Sequence, residues 1–228
     1  LHSNGAKATI VVTLGTTGMG AVDPLEEIIP IARAYGARIH VDAAYGGYFT
    51  LADLSKDVQC HFTAMTEADS IVIDPHKHGL QPYGCGAVLF KNPEEGRFYK
   101  HDSPYTYFTS DQLHLGEITL ECSRAGAAAA ALWATQQKFP YKRSGKFAQR
   151  LNASLAAAQG LKNTLLAKGW WVLEPELDIC VFSLSGLKAS EISAKNRAFF
   201  ENKAEDNIHL ALFSLPKQNC PWGIEWDI

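Results

Sequence analysis

Three short clusters carry most of the chemically capable side chains in this 228-residue sequence. Gly15-Thr16-Thr17-Gly18 is a glycine-rich turn bearing two hydroxyls. His40-Val41-Asp42-Ala43-Ala44-Tyr45-Gly46-Gly47 sets a carboxylate among small residues, and Asp74-Pro75-His76-Lys77-His78-Gly79 sets an amine between two imidazoles. Each has an ordinary reading: a turn, a helix-capping aspartate, a solvated surface lysine. Two sharper readings also follow from the residues. Asp74, His76 and His78 offer metal ligands, but neighbouring loop residues alternate in direction and leave the third ligand undefined. A glycine turn followed by an acid at the end of the next strand suits a dinucleotide. Here, however, the order is G-x-x-G-x-G rather than G-x-G-x-x-G, and an Asp23 cap on the next helix repels a pyrophosphate. Placement sets the three clusters apart, because each follows a strand-like run and open α/β sheets collect ligands beyond the carboxyl ends of their strands.

The elements that must hold them are legible. Residues 8–14 (ATIVVTL) are apolar and β-branched, as in a strand buried on both faces. Asp23 and Pro24 start a helix as cap and first-turn proline; Glu26 and Glu27 favour its positive end, and Leu25, Ile28, Ile29 and Ala32 keep one face apolar up to Gly36, with Pro30 as a point of bending. Residues 38–42 (RIHVD), 70–74 (SIVID) and 86–91 (GAVLFK) are further strands. Strands alternating with helices imply an α/β domain with a mostly parallel sheet. The alanine-rich run 125–137 is a strong helix former, narrow enough to pack closely on another backbone. Proline and charge in Phe139–Ser144 (FPYKRS) mark a domain boundary, giving a domain over 1–139 and a smaller α+β domain over 144–228. In the second, helices are expected over 146–168 and 191–203, and strands over 170–173, 179–184 and 208–215.

Composition narrows the partners. With 46% hydrophobic residues the chain can bury a real core, and 21 Lys+Arg against 24 Asp+Glu leaves no basic surplus for nucleic acid. No apolar run reaches the ~18 residues that span a bilayer, and the first 20 residues lack the charged-then-apolar order of a signal peptide, so a cytoplasmic protein without membrane or nucleic-acid partners is expected. The five cysteines form no C-x-x-C pair, which predicts reduced thiols and neither a metal site nor a disulfide framework. Leu1 in place of Met, and an abrupt end at Trp226-Asp227-Ile228, read as a piece of a longer protein.

Taken together, the motifs LGTTGMGAVDP, HVDAAYGG, DPHKHG and LECSRAGAAAAALWA resemble the fold-type-I pyridoxal-phosphate (PLP) decarboxylases, the group of tyrosine, aromatic-amino-acid and glutamate decarboxylases. The likeness is close over residues 8–138 and loose beyond. It implies that the first domain is the C-terminal part of the large PLP-binding domain and the second the small C-terminal domain of a homodimer. It implies PLP as cofactor, with Lys77 as the Schiff-base lysine and Asp42 as partner of the ring nitrogen, whose proton needs a fixed negative charge nearby. Ala44 would lie against the ring, Thr17 and Ser123, with neighbouring Arg124, would lie near the cofactor, and His76 would approach the phosphate or position the loop. Tyr105, with Tyr107 as rival, would deliver a proton to Cα. The implied reaction is decarboxylation of an L-amino acid to its amine and carbon dioxide, with tyrosine or another aromatic amino acid as the leading substrate.

Two departures qualify the likeness. Many relatives carry Trp directly after the lysine, where this chain has His78-Gly79 as in tyrosine and archaeal-type decarboxylases or sphingosine-phosphate lyases. The family's phosphate-binding helix and the histidine stacked on the cofactor belong to an N-terminal portion that this sequence does not contain. A carbon-carbon lyase of the sphingosine-phosphate type therefore stands as the alternative enzyme, although no basic cluster for a phosphorylated substrate is visible. A dinucleotide-binding module or a non-catalytic scaffold stands as the alternative of another class.

Overall fold

The computed structural model describes residues 7–100, 114, 126–205, 207–215 and 224–227. It forms two compact units, Leu1–Thr16 with Ala21–Asn152 and Thr17–Gly20 with Ala153–Ile228, and the chain passes from one to the other within a long helix.

The first unit is built on a four-stranded sheet in the order β1 (Thr9–Thr13), β2 (Arg38–Asp42), β3 (Ser70–Ile73), β4 (Ala87–Phe90). The first three strands are parallel and β4 is antiparallel to β3. Alternation along the strands puts Val12, Ile39 and Val41 on one fully buried face. Helices α1 (Leu25–Ala34) and α2 (Lys56–Ala64) pack against each other, and α1 against β2, with Leu25, Ile29, Ala32 and Phe62 closing the core. Leu25, Ile29 and Phe62 each contribute on the order of 1.5–3 kcal/mol by leaving water. The opposite face carries Val11, 60% exposed, so β1 is buried on one face rather than on both as its unbroken apolar run suggested. The described residues supply no second helical layer over it.

Asp23 does not cap α1 as predicted. Its Oδ2 accepts the N–H of Thr13 at 2.7 Å, tying the entry of the helix to the end of β1 instead. Gly36 closes the helix in the left-handed region (φ +63°). α2 has no strong sequence signal, because only Phe62 and Ala64 of its nine residues are buried. Asp69 pins the layers together: its Oδ2 accepts from the Ile39 N–H at 2.7 Å and from Arg33 Nη1 at 2.8 Å. Partial burial raises the Asp69 pKa, but these two donors and the charges of Arg33 and Arg38 outweigh it and bring the group below the ordinary carboxylate value.

The alanine-rich segment forms α3 (Ala127–Lys138), and α4 (Lys146–Ala167) follows. None of the α3 residues is buried, and Trp133 is 64% exposed. The second unit contains the C-terminal part of α4, a two-stranded antiparallel ribbon of β5 (Trp171–Val172) and β6 (Phe182–Ser183), and α5 (Ala189–Glu205). Trp170 meets both Phe182 and Phe199 at 5.8 Å between ring centres. The strand expected over 208–215 is irregular chain: no ladder partner is present among the described residues, and apolar alternation without one does not make a strand. No helix among the described residues is long and apolar enough to cross a membrane.

Candidate active site

Parallel register brings the start of the glycine turn, the Asp42 cluster and the lysine loop to one edge of the sheet. Thr13 pairs with Asp42, and Asp42 pairs with Val72, so β1, β2 and β3 end side by side. The backbone continues the alignment past the strands: the Leu14 N–H donates to Asp42 O (2.9 Å), Ala43 to Val72 O (3.0 Å) and Asp74 to Ala44 O (3.2 Å). Asp42 and the lysine loop thus leave neighbouring strands at the same level.

Glycine makes this closeness possible. A Cβ on Gly46 would fall onto the Leu14 carbonyl, a backbone atom that cannot turn aside, and one on Gly47 would sit 3.0 Å from Ile73. One on Gly79 would lie 2.5 Å from the Tyr48 hydroxyl and 2.6 Å from Pro75 Cα. The paired glycines after Asp42 are therefore demanded by the close approach of Leu14 and Ile73, at the ends of the neighbouring strands.

Asp42 Oδ1 accepts the Ala44 N–H at 3.1 Å, which fixes the carboxylate at the strand end. Lys77 lies in a turn anchored by fully buried Pro75. Its Nζ is 3.0 Å from Asp74 Oδ2, and its side chain keeps 33% of its exposure, more open within this chain than the sheltered setting expected for it. His76 donates twice to the Cys85 carbonyl, from Nδ1 at 2.7 Å and from its backbone N–H at 3.1 Å, which joins the lysine loop to the residues leading into β4. Its Nε2 stands 3.7 Å from Asp74. His78 points elsewhere, edge-on to Tyr45 (4.7 Å) and Phe49 (4.8 Å), and Asp74, His76 and His78 do not converge as metal ligands.

Three supports were not singled out from sequence. Asp74 holds the lysine, and its Asp-x-x-Lys spacing was the available signal, since both ends of a single turn face each other. Gln81, buried, donates to the Gly79 carbonyl (3.2 Å) and to Thr135 of α3 (2.8 Å). Tyr48, also buried, shares a 3.2 Å hydrogen bond with Tyr141, and desolvation and that bond push its hydroxyl far above the ordinary tyrosine value. Between the lysine loop and Gln81, Leu80 adopts φ +61°, a left-handed conformation that costs a branched residue about 1–2 kcal/mol and is held by the bonds around it.

The glycine turn divides. Thr16 Oγ1 accepts the Ala21 N–H at 3.0 Å and closes the turn in the first unit, whereas Thr17 belongs to the second. There Thr17 and Gly18 line an apolar cleft with Trp170, Phe182 and Phe213. Ser123, Arg124, Tyr105 and Tyr107 lie outside the described residues.

Comparison with known proteins gives the family and the fold. Residues 2–184 match the family model described as the pyridoxal-dependent decarboxylase conserved domain. The L-tyrosine decarboxylase of Enterococcus faecium is 32% identical over 191 residues, covering 68% of this chain and 31% of that protein. A probable L-aspartate decarboxylase of Pyrococcus furiosus is 32% identical over 196 residues, covering 83% of this chain and 50% of that protein. Mouse CSAD in its apo form superposes with a TM-score of 0.76 at 22% identity, covering 92% of this chain and 46% of that one. The chain thus spans half or less of the length of these relatives. The α/β architecture is that of the fold-type-I enzymes, the cofactor of the family is PLP, and the donors at the sheet edge fit it: an amine, a fixed carboxylate and methyl-sized residues between them. On sequence and fold together, this chain belongs to the pyridoxal-dependent decarboxylase family.

Proposed function

We propose that the full-length protein decarboxylates an L-amino acid to its amine and carbon dioxide, with tyrosine or another aromatic amino acid as the leading substrate and a homodimer as the working form. One observation carries the reading: the carboxylate of Asp42 and the amine loop of Lys77 leave adjacent parallel strands at the same level, joined by the Ala43–Val72 and Asp74–Ala44 hydrogen bonds. When bound, PLP supplies the electron sink that lets the Cα–carboxylate bond break. Lys77 supplies the amine that holds the cofactor. Asp74 orients that amine from one turn away, and His76 keeps the loop on β4. Asp42 holds a negative charge at the strand end, where it keeps a pyridine nitrogen protonated. Ala44 leaves room for a flat ring, and Tyr105 delivers the proton to Cα. An aromatic substrate draws support from the tyrosine decarboxylase relative, and the aspartate decarboxylase relative defines its rival.

The deciding experiment uses the full-length protein with PLP. Borohydride reduction followed by peptide mapping should find the cofactor on the Lys77 peptide, and Lys77→Ala should lose both the adduct and its absorption while keeping the fold. An adduct persisting in Lys77→Ala assigns the role to another lysine. Carbon dioxide release from a panel of L-amino acids should be fastest with tyrosine; faster release from aspartate removes the aromatic assignment and leaves the decarboxylase.

A further inference from the structure

Away from the sheet edge, α1 and α2 bring together three side chains that the proposed chemistry does not use. Glu26, in the first turn of α1, and Cys60 and His61, in the last turn of α2, each present a ligand atom, and all three atoms lie within 4.8 Å of one another. Cys60 Sγ is 3.6 Å from His61 Nδ1. That nitrogen accepts the Glu26 N–H at 3.4 Å and so carries a lone pair rather than a proton, which a bound ion takes over from this long hydrogen bond. The spacing is that of a coordination edge: with Zn–S about 2.3 Å and Zn–N about 2.0–2.1 Å, a tetrahedral ion sets sulfur and nitrogen about 3.5 Å apart.

We propose that Glu26, Cys60 and His61 form a binding site for one divalent transition-metal ion of the Zn2+ type, with the fourth position open to water. The donor set selects this class of ion, because thiolate and imidazole favour borderline cations while a single carboxylate is too little for Mg2+ or Ca2+. Charge agrees. Thiolate and carboxylate neutralise the dication, so the positive end of α1 opposes it little. Binding releases the thiol proton to solvent. The scattered cysteines gave no metal motif because the site joins one residue to a pair more than thirty positions away. An ion there clamps the two helices that pack together beside the sheet.

The test is titration of the full-length protein, freed of metal by chelator, with Co2+ and then Zn2+. One equivalent of Co2+ should produce a thiolate-to-cobalt charge-transfer band that one equivalent of Zn2+ abolishes, and Zn2+ should raise the melting temperature. Cys60→Ser should remove the band, and His61→Ala and Glu26→Gln should each weaken binding at least about tenfold. Metal-free melting temperatures matching wild type show that each variant is folded, and Zn2+ stabilisation lost in all three supports the site independently of the cobalt band. A band unchanged in Cys60→Ser, or no band with the wild-type protein, overturns the proposal.

Discussion

At the scale of single residues, the lysine loop separates chemistry from its support. Lys77 and Asp42 stand out in the sequence because their flanking residues are constrained by what must fit beside them, as Gly46, Gly47 and Gly79 show. Tyr105 is expected to act as general acid, a role worth about 10²- to 10⁴-fold in rate. Tyr105→Phe in the full-length enzyme should therefore lower kcat by at least about a hundredfold with little change in KM, while Tyr107→Phe serves as control. Loss confined to Tyr107→Phe would move the role by two positions. Asp74 was half legible, present in the motif but without an assigned task, since only the turn around Pro75 brings its carboxylate to 3.0 Å from the amine. Of the two threonines in the glycine turn, Thr16 closes it by accepting the Ala21 N–H, a choice set by backbone direction that the motif alone does not make.

At the scale of elements, close approach and buried charge produce the clearest expectations. Gly46→Ala drives a methyl into the Leu14 carbonyl and should destabilise by about 1–3 kcal/mol, and it should impair cofactor retention because the same approach aligns the site. Gly160→Ala, exposed inside α4 with nothing within 4 Å of the added methyl, should instead stabilise by about 1 kcal/mol. Thermal denaturation of both variants separates the two mechanisms, and equal effects would show that neither position behaves as its surroundings dictate. Asp69 has a pH signature. Its folded pKa is depressed, so its stabilisation is complete above the unfolded carboxylate range, about 3.9, and disappears as pH falls through the lower folded value. Asp69→Asn should cost about 1–2 kcal/mol near pH 7, with the gap to wild type closing below about pH 4. A gap that stays constant to pH 3 would show a packing effect. The strands β1 to β4 were legible from composition, whereas α2 was not, because a helix with two buried residues writes no apolar stripe, and 208–215 was misread because pairing needs a neighbour that alternation alone does not supply.

At the scale of the whole molecule, the sequence divides the work between two units, and the sheet edge of the first holds Asp42 and Lys77. If the full-length enzyme works as a homodimer, light scattering should return twice the subunit mass at concentrations that support activity; a monomer with full activity would refute that form. The order of the strands has a further consequence, for the time course of folding. Each strand pairs with the one made just before it, so no pairing waits for a distant part of the chain. During synthesis β1 and β2 can join as soon as α1 has emerged, and β3 adds to an existing edge. The lysine loop settles last of these, when Cys85 arrives to receive His76. Once Phe90 has cleared the exit tunnel, the four strands and the His76–Cys85 contact of the lysine loop can form, and the Gln81–Thr135 bond is added when the alanine-rich helix emerges.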